Sequence, residues 1–230
     1  MNKRRMTAQD RKLAIVKAAL PLFARKGFAE TTTKELARAA GVSEPLLYKH
    51  FPGKEALYAE IQNYSCNATD SDAQRLAELK PSASTLVHLV YFLTRSILLG
   101  KPKSVIKWET RHRLMLNSFL EDGAYARLLY KNRFADFCSR MEASLAAATA
   151  AGDAVASPVS GANRSYFAHH VAAWLAVVHL AGKPPMDYKA PPEELLNQAV
   201  WFVLRGMGLT DKAIATHYNP KALALSFSGD

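Results

Sequence analysis

Tyr48, Lys49 and His50 stand together in the sequence and are followed by Lys54, which brings a phenol, two ammonium groups and an imidazole into one short stretch. These are polar tips suited to holding phosphate oxygens. If a helix opens at Lys54, its first backbone N–H groups and the lysine ammonium can share one anion. The chemistry implied is recognition of a polyanion rather than bond breaking.

The elements that must carry these residues are legible from capping signals. Thr32 and Glu35 form a capping box, in which the threonine oxygen accepts from the N–H of Glu35 and the carboxylate accepts from the N–H of Thr32. Leu36, Ala37 and Ala40 give a small apolar face at helical spacing, and Gly41 supplies the left-handed residue that stops the helix. Val42 fills the corner, and Ser43 caps a second helix with Pro45 in its first turn. That helix carries Leu46, Leu47 and Tyr48 and ends at Pro52 and Gly53. Helix, glycine turn and short helix is the helix-turn-helix arrangement, whose second helix enters the DNA major groove. An ordinary hairpin of core helices is the competing reading, but it has no use for polar residues at the exit of its second helix.

The 230 residues, 49% of them hydrophobic, suffice for one large domain or two small ones. The charge is lopsided: residues 1–55 hold 12 Lys+Arg against 5 Asp+Glu, and the rest of the chain holds 18 against 15. Basic charge is therefore concentrated around the helix-turn-helix, the footprint expected for a nucleic acid partner. Cys66 and Cys138 lack CxxC or CxxH neighbours, which points away from a disulfide framework or a zinc site and toward a reducing cytoplasm. The basic N-terminus leads into an amphipathic segment instead of a continuous apolar one, so a signal peptide is not expected. The most apolar stretch, residues 171–181, is far short of the roughly 20 residues that span a bilayer, and no membrane partner is expected.

In chain order, Thr7 or Asp10 caps a first helix with Leu13, Val16, Leu20 and Phe23 on one face, ended by Gly27. After the helix-turn-helix, Phe51 plugs the small bundle, and a long helix is expected from Lys54 to Leu79, closed by Pro81. Further helices are expected over residues 84–99, 103–119, 122–151, 164–181 and 193–207, with 153–163 as a flexible loop and the tail from Thr210 unassigned. No segment has strand period. The helices over 164–181 and 193–207 are apolar on more than one face, which argues for a second subunit packed against them.

Other chemistry is weakly represented. His169 and His170 are adjacent, with no ligand at i+3 or i+4, so no metal is expected. The sequence has no GxSxG, Walker or GxGxxG motif, so no enzyme activity and no cofactor are expected. Trp108, Arg111, His112, Phe134, Phe137, His170 and Trp174 are candidates to line an apolar pocket holding a few polar groups. With Arg and His on its border, such a pocket favours a neutral or anionic lipophilic ligand.

The run FARKGFAETTTKELARAAGVSEPLLYKHFPGKEALYAEI resembles, nearly position for position, the N-terminal domain of TetR-family transcriptional regulators, across about residues 10–61. Beyond it the resemblance is one of layout alone. It implies an all-α chain: a three-helix DNA-binding domain over residues 1–54, then a larger helical ligand-binding and dimerisation domain over 55–230, with the helix from Lys54 linking cavity to head. It also implies that Thr33, Lys34, Glu44, Pro45, Leu46, Tyr48, Lys49, His50 and Lys54 touch DNA. Lys34 and Lys49 suit phosphates or guanine, Glu44 a cytosine amino group and Leu46 a thymine methyl, while Tyr48, His50 and Lys54 suit phosphates. The function implied is a homodimeric repressor on palindromic double-stranded operator DNA, released by a small-molecule effector. An activator, a ligand-independent architectural DNA binder and a helical enzyme with an accessory DNA-binding head are the alternatives.

Overall fold

The structure, a computed structural model, describes residues 6–66, 71–100, 104 and 106–227. The chain is all-α, and the described residues contain no strand, only one isolated antiparallel bridge between Ala154 and Leu209. Packing divides it into two units that are discontinuous in sequence. Unit 1 comprises Met1–Ala68 and Val105–Asn132, and unit 2 comprises Thr69–Ser104 and Arg133–Asp230. Two contiguous segments meeting at residue 54 would have been simpler, but the head needs additional helices to close its core.

Unit 1 begins with α1 (Ala8–Lys26), opened by a Thr7–Asp10 capping box. Two short helices follow, α2 (Thr33–Ala40) and α3 (Glu44–His50), and then α4 (Lys54–Cys66). Later in the chain come α7 (Trp108–Leu120) and α8 (Ala124–Leu129). Ile15, Ala19, Phe23, Leu36, Leu47 and Phe51 from the first three helices and their exit make one core with Leu57 and Ile61 of α4, Leu114 of α7 and Tyr125 of α8. Burying a side chain such as Phe23 is worth about 1.5–3 kcal/mol, so each recruited helix contributes materially to a head this small.

Unit 2 is built around α6 (Ala83–Leu98), whose Leu86, Val87, Leu89, Val90 and Tyr91 are all buried. Against it pack α9 (Ala135–Ala150), α10 (Gly161–Val178) and α11 (Pro192–Met207), with α5 (Ser71–Glu78) alongside. The helix expected to run unbroken from Lys54 to Leu79 is described as α4 and α5, and its middle, residues 67–70, lies outside the described residues. The segment expected as one helix over 122–151 is α8 and α9 joined by a π-helical turn over Tyr130–Phe134, in which each N–H reaches one residue further back than in an α-helix.

Two features depart from the sequence expectation. Ser160 caps α10 at Gly161, so the 153–163 loop is shorter than expected, and its first residues are pinned: Val155 N–H donates to Gly208 O and Thr210 N–H to Asp153 O, both at 2.9 Å. The tail from Thr210 forms α12 (Asp211–His217) and α13 (Pro220–Ser226), capped by Thr210 and Asn219. Phe227 then stacks on Tyr91 at 5.9 Å and tilts against Phe92 at 5.6 Å, which seals the core of unit 2. Phe227→Ala should cost about 3–5 kcal/mol, read as a lower midpoint in urea unfolding, because it opens a void in this aromatic cluster.

Candidate nucleic-acid interface

The reading head forms because its local signals agree. Thr32 Oγ1 accepts from Glu35 N at 3.3 Å and Glu35 Oε2 accepts from Thr32 N at 3.1 Å, which is the expected capping box. Gly41 takes the left-handed conformation at φ 66°, ψ 31°, while its N–H donates to Arg38 O and that of Val42 to Ala37 O. This double closure satisfies the last carbonyls of α2 and turns the chain. Ser43 Oγ accepts from Leu46 N at 3.3 Å to open α3, and buried Leu47 and Phe51 anchor α3 from below.

On the opposite side of α3 the expected DNA residues emerge. Lys34, Pro45, Tyr48 and Lys49 are exposed, Tyr48 by 47%, and Thr33, Glu44, Leu46 and His50 are half-buried. Tyr48 Oη donates to Thr33 Oγ1, which in turn donates to Glu44 Oε2, each at 3.4 Å, tying the start of α2 to α3 across this face. The phenol has a single donor, so a phosphate oxygen at this face would take the Tyr48 proton in place of Thr33 Oγ1.

Lys54 is placed differently from the sequence expectation. Its Nζ donates to Phe28 O at 2.8 Å and Ala29 O at 3.3 Å, and it stands 4.3 Å from the centroid of the Phe28 ring. Its ammonium is thus directed at the connector between α1 and α2. The same connector and the turn before it are held from the end of α7: Asn117 Nδ2 donates to Phe23 O and Ala24 O in the last turn of α1 at 3.1 Å, and Phe28 N of the connector donates to Glu121 Oε1 at 2.7 Å. Gly27, at φ 77°, ψ 178°, leaves room for this approach, since a Cβ there would stand 2.6 Å from Glu121 Oε1. Nothing local in the sequence marks Asn117 or Glu121, because their partners lie more than ninety residues away.

The seven residues expected to line a ligand pocket are not brought together in either unit taken by itself. Trp108, Arg111 and His112 belong to unit 1, where the rings of Trp108 and His112 lie 4.5 Å apart and His112 Nδ1 is 2.8 Å from Trp108 O. Burial, with a smaller contribution from the Arg111 charge, pushes the His112 pKa down and favours a neutral ring. Phe134 and Phe137 belong to unit 2 and stack at 6.2 Å, with Phe137 against Phe92 at 6.0 Å. His170 and Trp174 lie on the outside of α10, Trp174 being 62% exposed, so they do not line an interior of this chain. An open groove of about 430 Å³ beside α9 and the start of α10 is bordered by Glu142, Ala146, Thr149 and Arg164 and by none of these seven. No cluster of His, Cys, Asp and Glu able to hold a metal occurs among the described residues.

Capped α2, glycine turn and short α3 with a polar outer face define a helix-turn-helix DNA-binding domain. Residues 15–61 match the family of bacterial regulatory proteins named for tetR, so the head of this chain is similar to the DNA-binding domain of those transcriptional regulators. It is 44% identical over 55 residues to the HTH-type transcriptional regulator YerO of Bacillus subtilis, a match spanning 24% of this chain and 19% of that protein. To EthR of Mycobacterium tuberculosis it is 36% identical over 74 residues, 32% of this chain and 34% of EthR. The chain thus spans about a third or less of the length of these curated relatives. In fold it is similar to AibR, crystallised in complex with isovaleryl coenzyme A and operator DNA, with a TM-score of 0.62 over 84% of this chain and 97% of that one at 18% identity.

One charge in the head has a clear pH signature. The Lys26 ammonium, 2.6 Å from Glu35 Oε1, together with the hydrogen bonds from Thr32, lowers the Glu35 pKa from 4.5 to about 2. A carboxylate whose folded pKa is depressed adds stability above its unfolded pKa and loses it as pH falls through the folded one. The contribution should therefore be complete above about pH 4.5 and fade toward pH 2. Glu35→Gln should flatten this part of the thermal-melting profile against pH, and high salt should shrink the difference because the pair is solvent-exposed.

Proposed function

We propose that this chain is a homodimeric, ligand-responsive repressor that binds palindromic operator DNA through α3 and is released by a neutral or anionic lipophilic small molecule. The observation that carries the DNA reading is the outer face of α3, where Tyr48 and Lys49 stand exposed beside Lys34 of α2 on a firmly capped scaffold. Thr33, Lys34, Glu44, Pro45, Leu46, Tyr48, Lys49 and His50 form the proposed contact set. Lys54 contributes the backbone N–H groups at the start of α4, where a helix N-terminus attracts phosphate. Lys49→Ala should weaken binding to all duplexes and lower the slope of log Kobs against log salt by about one. Fluorescence-anisotropy titrations across a salt series give both quantities, and an unaltered slope would remove Lys49 from the interface.

The proposed subunit contact is supported by apolar surface on neighbouring helices of unit 2. Phe167 and Trp174 of α10 and Trp201 and Phe202 of α11 are exposed, Phe202 by 63%. Side chains of this kind left in water favour a partner surface, and a two-fold dimer would present two identical heads to a palindrome. Val200, on the same helix, is 0% exposed and belongs to the core of this chain, so it reports on folding rather than assembly. Trp174→Glu or Trp201→Glu should give folded monomers in light scattering at micromolar concentration, whereas Val200→Glu should unfold unit 2. A wild-type protein that scatters as a monomer would overturn the dimer.

For the effector, support comes from the acyl thioester bound by AibR, which joins an apolar acyl group to an anionic carrier. Regulation needs the effector to bind better to a state with lower DNA affinity, and a coupling of roughly 1–3 kcal/mol gives a several-fold to hundredfold response. Titrating a bound duplex with a panel of lipophilic acids and acyl thioesters should find at least one that raises the apparent Kd. DNA affinity that no member of the panel moves would leave a DNA-binding dimer without the switch. Repressor is preferred over activator on family grounds, and a cytoplasmic location is the setting such a role requires.

A further inference from the structure

We propose that Lys54 and Glu121 are positioning residues that clamp the α1–α2 connector from opposite sides, and that DNA affinity depends on this clamp rather than on the Lys54 side chain touching a phosphate. The proposal rests on the DNA-binding reading above and assigns part of its machinery. The connector runs from Gly27 to Thr31 and delivers the chain into α2. The carboxylate of Glu121 accepts from the Phe28 N–H at 2.7 Å, and the Lys54 ammonium donates to Phe28 O at 2.8 Å and Ala29 O at 3.3 Å. One residue is thus held by an anion on its N–H and a cation on its carbonyl, each charge facing the end of the peptide dipole it attracts.

The connector and the turn of α1 that leads into it are equally committed. Asn117 donates to the carbonyls of Phe23 and Ala24 in the last turn of α1, Thr31 Oγ1 donates to Gly27 O at 2.7 Å, and Gly27 N–H donates to Phe23 O at 2.9 Å. Below it the rings of Phe23, Phe28 and Tyr58 meet with centroids 5.0–6.1 Å apart, so the loop is fixed by packing as well as by hydrogen bonds. The Lys54 ammonium has three donors: two carbonyls accept from two of them, and the ring face of Phe28 lies 4.3 Å away on the remaining side. A phosphate would have to displace one of these partners. The geometry therefore makes α7 and the start of α4 the joint supports of the path into the reading head.

Salt dependence separates the clamp from a direct phosphate interaction. If the Lys54 ammonium neutralised a phosphate, removing it would lower the salt slope by about one, whereas removing a positioning residue lowers affinity and leaves the slope alone. Using the full-length protein and a duplex that the wild type selects from a randomised library, Lys54→Met and Glu121→Ala should each weaken binding roughly tenfold or more at unchanged slope, the size of one charge-assisted hydrogen bond. Because both act on one loop, the double variant should bind no more than about threefold more weakly than the weaker single variant, a non-additive result. Glu121→Gln keeps an oxygen to accept the Phe28 N–H and should retain most of the affinity.

A second measurement does not depend on DNA. Amide hydrogen exchange at Phe28 should quicken in Glu121→Ala and stay slow in Glu121→Gln. Unchanged Phe28 exchange in Glu121→Ala, or a slope that falls by about one in Lys54→Met, would overturn the clamp. A wild-type protein that selects no duplex, with Phe28 exchange still governed by Glu121, would instead overturn the DNA-binding function and leave the clamp standing as architecture.

Discussion

A bundle of three helices within roughly fifty residues buries so little surface that it would be marginal alone, and that constraint shapes unit 1. The head closes its core only by taking Leu57 and Ile61 from α4, Leu114 from α7 and Tyr125 from α8. A consequence is that the part of the molecule meant to meet DNA is continuous, through packed side chains, with helices that lie far along the chain. Recruitment of α7 is what places Asn117 and Glu121 against the last turn of α1, and Gly27 is the residue that permits the approach.

The basic charge of the first fifty-odd residues divides into two uses. Lys12 pairs with Glu60 at 3.0 Å, Lys26 with Glu35 at 2.6 Å, and Lys54 with two carbonyls. Each joins two elements of the head, although exposed pairs of this kind contribute only about 0–1 kcal/mol and serve orientation more than stability. Lys34 and Lys49 remain at the surface around α3. Net charge therefore overstates the cations directed at a polyanion and also understates how well they are placed, since the spent charges hold the scaffold that aims the others.

Unit 2 answers a different demand. Its central α6 is apolar almost all round and must be covered on every side, which α9, α10, α11 and the short terminal helices accomplish. Covering it uses one face each of α10 and α11 and leaves a second apolar face on both, carrying Phe167, Trp174, Trp201 and Phe202. The same two helices thus provide core in one direction and an uncovered surface in the other. That arrangement explains why Val200 and its neighbour Trp201 have opposite environments.

The sequence alone determined what short-range rules govern. The capping box at Thr32, the left-handed turn at Gly41 and the Ser43 cap all follow from interactions within about five residues, and each is realised as read, while the plug at Phe51 was legible from its apolar type and is realised by the core around it. The all-helical class and the doubly apolar character of α10 and α11 were likewise written in periodicity. The π-helical turn and the loop pinned at Asp153 were not, because they are settled by packing against distant partners, whereas the Thr210 and Asn219 caps of α12 and α13 are local signals that the expectation for the tail omits. Only the tertiary structure decided how Lys54 is used. By type and position it suited a phosphate; folding brought two carbonyls and a ring within its reach, and a flexible ammonium takes the acceptors that the fold supplies. The same holds for Glu121 and for the division of the candidate pocket residues between two units: both depend on contacts between segments remote in the chain, which no local spacing encodes.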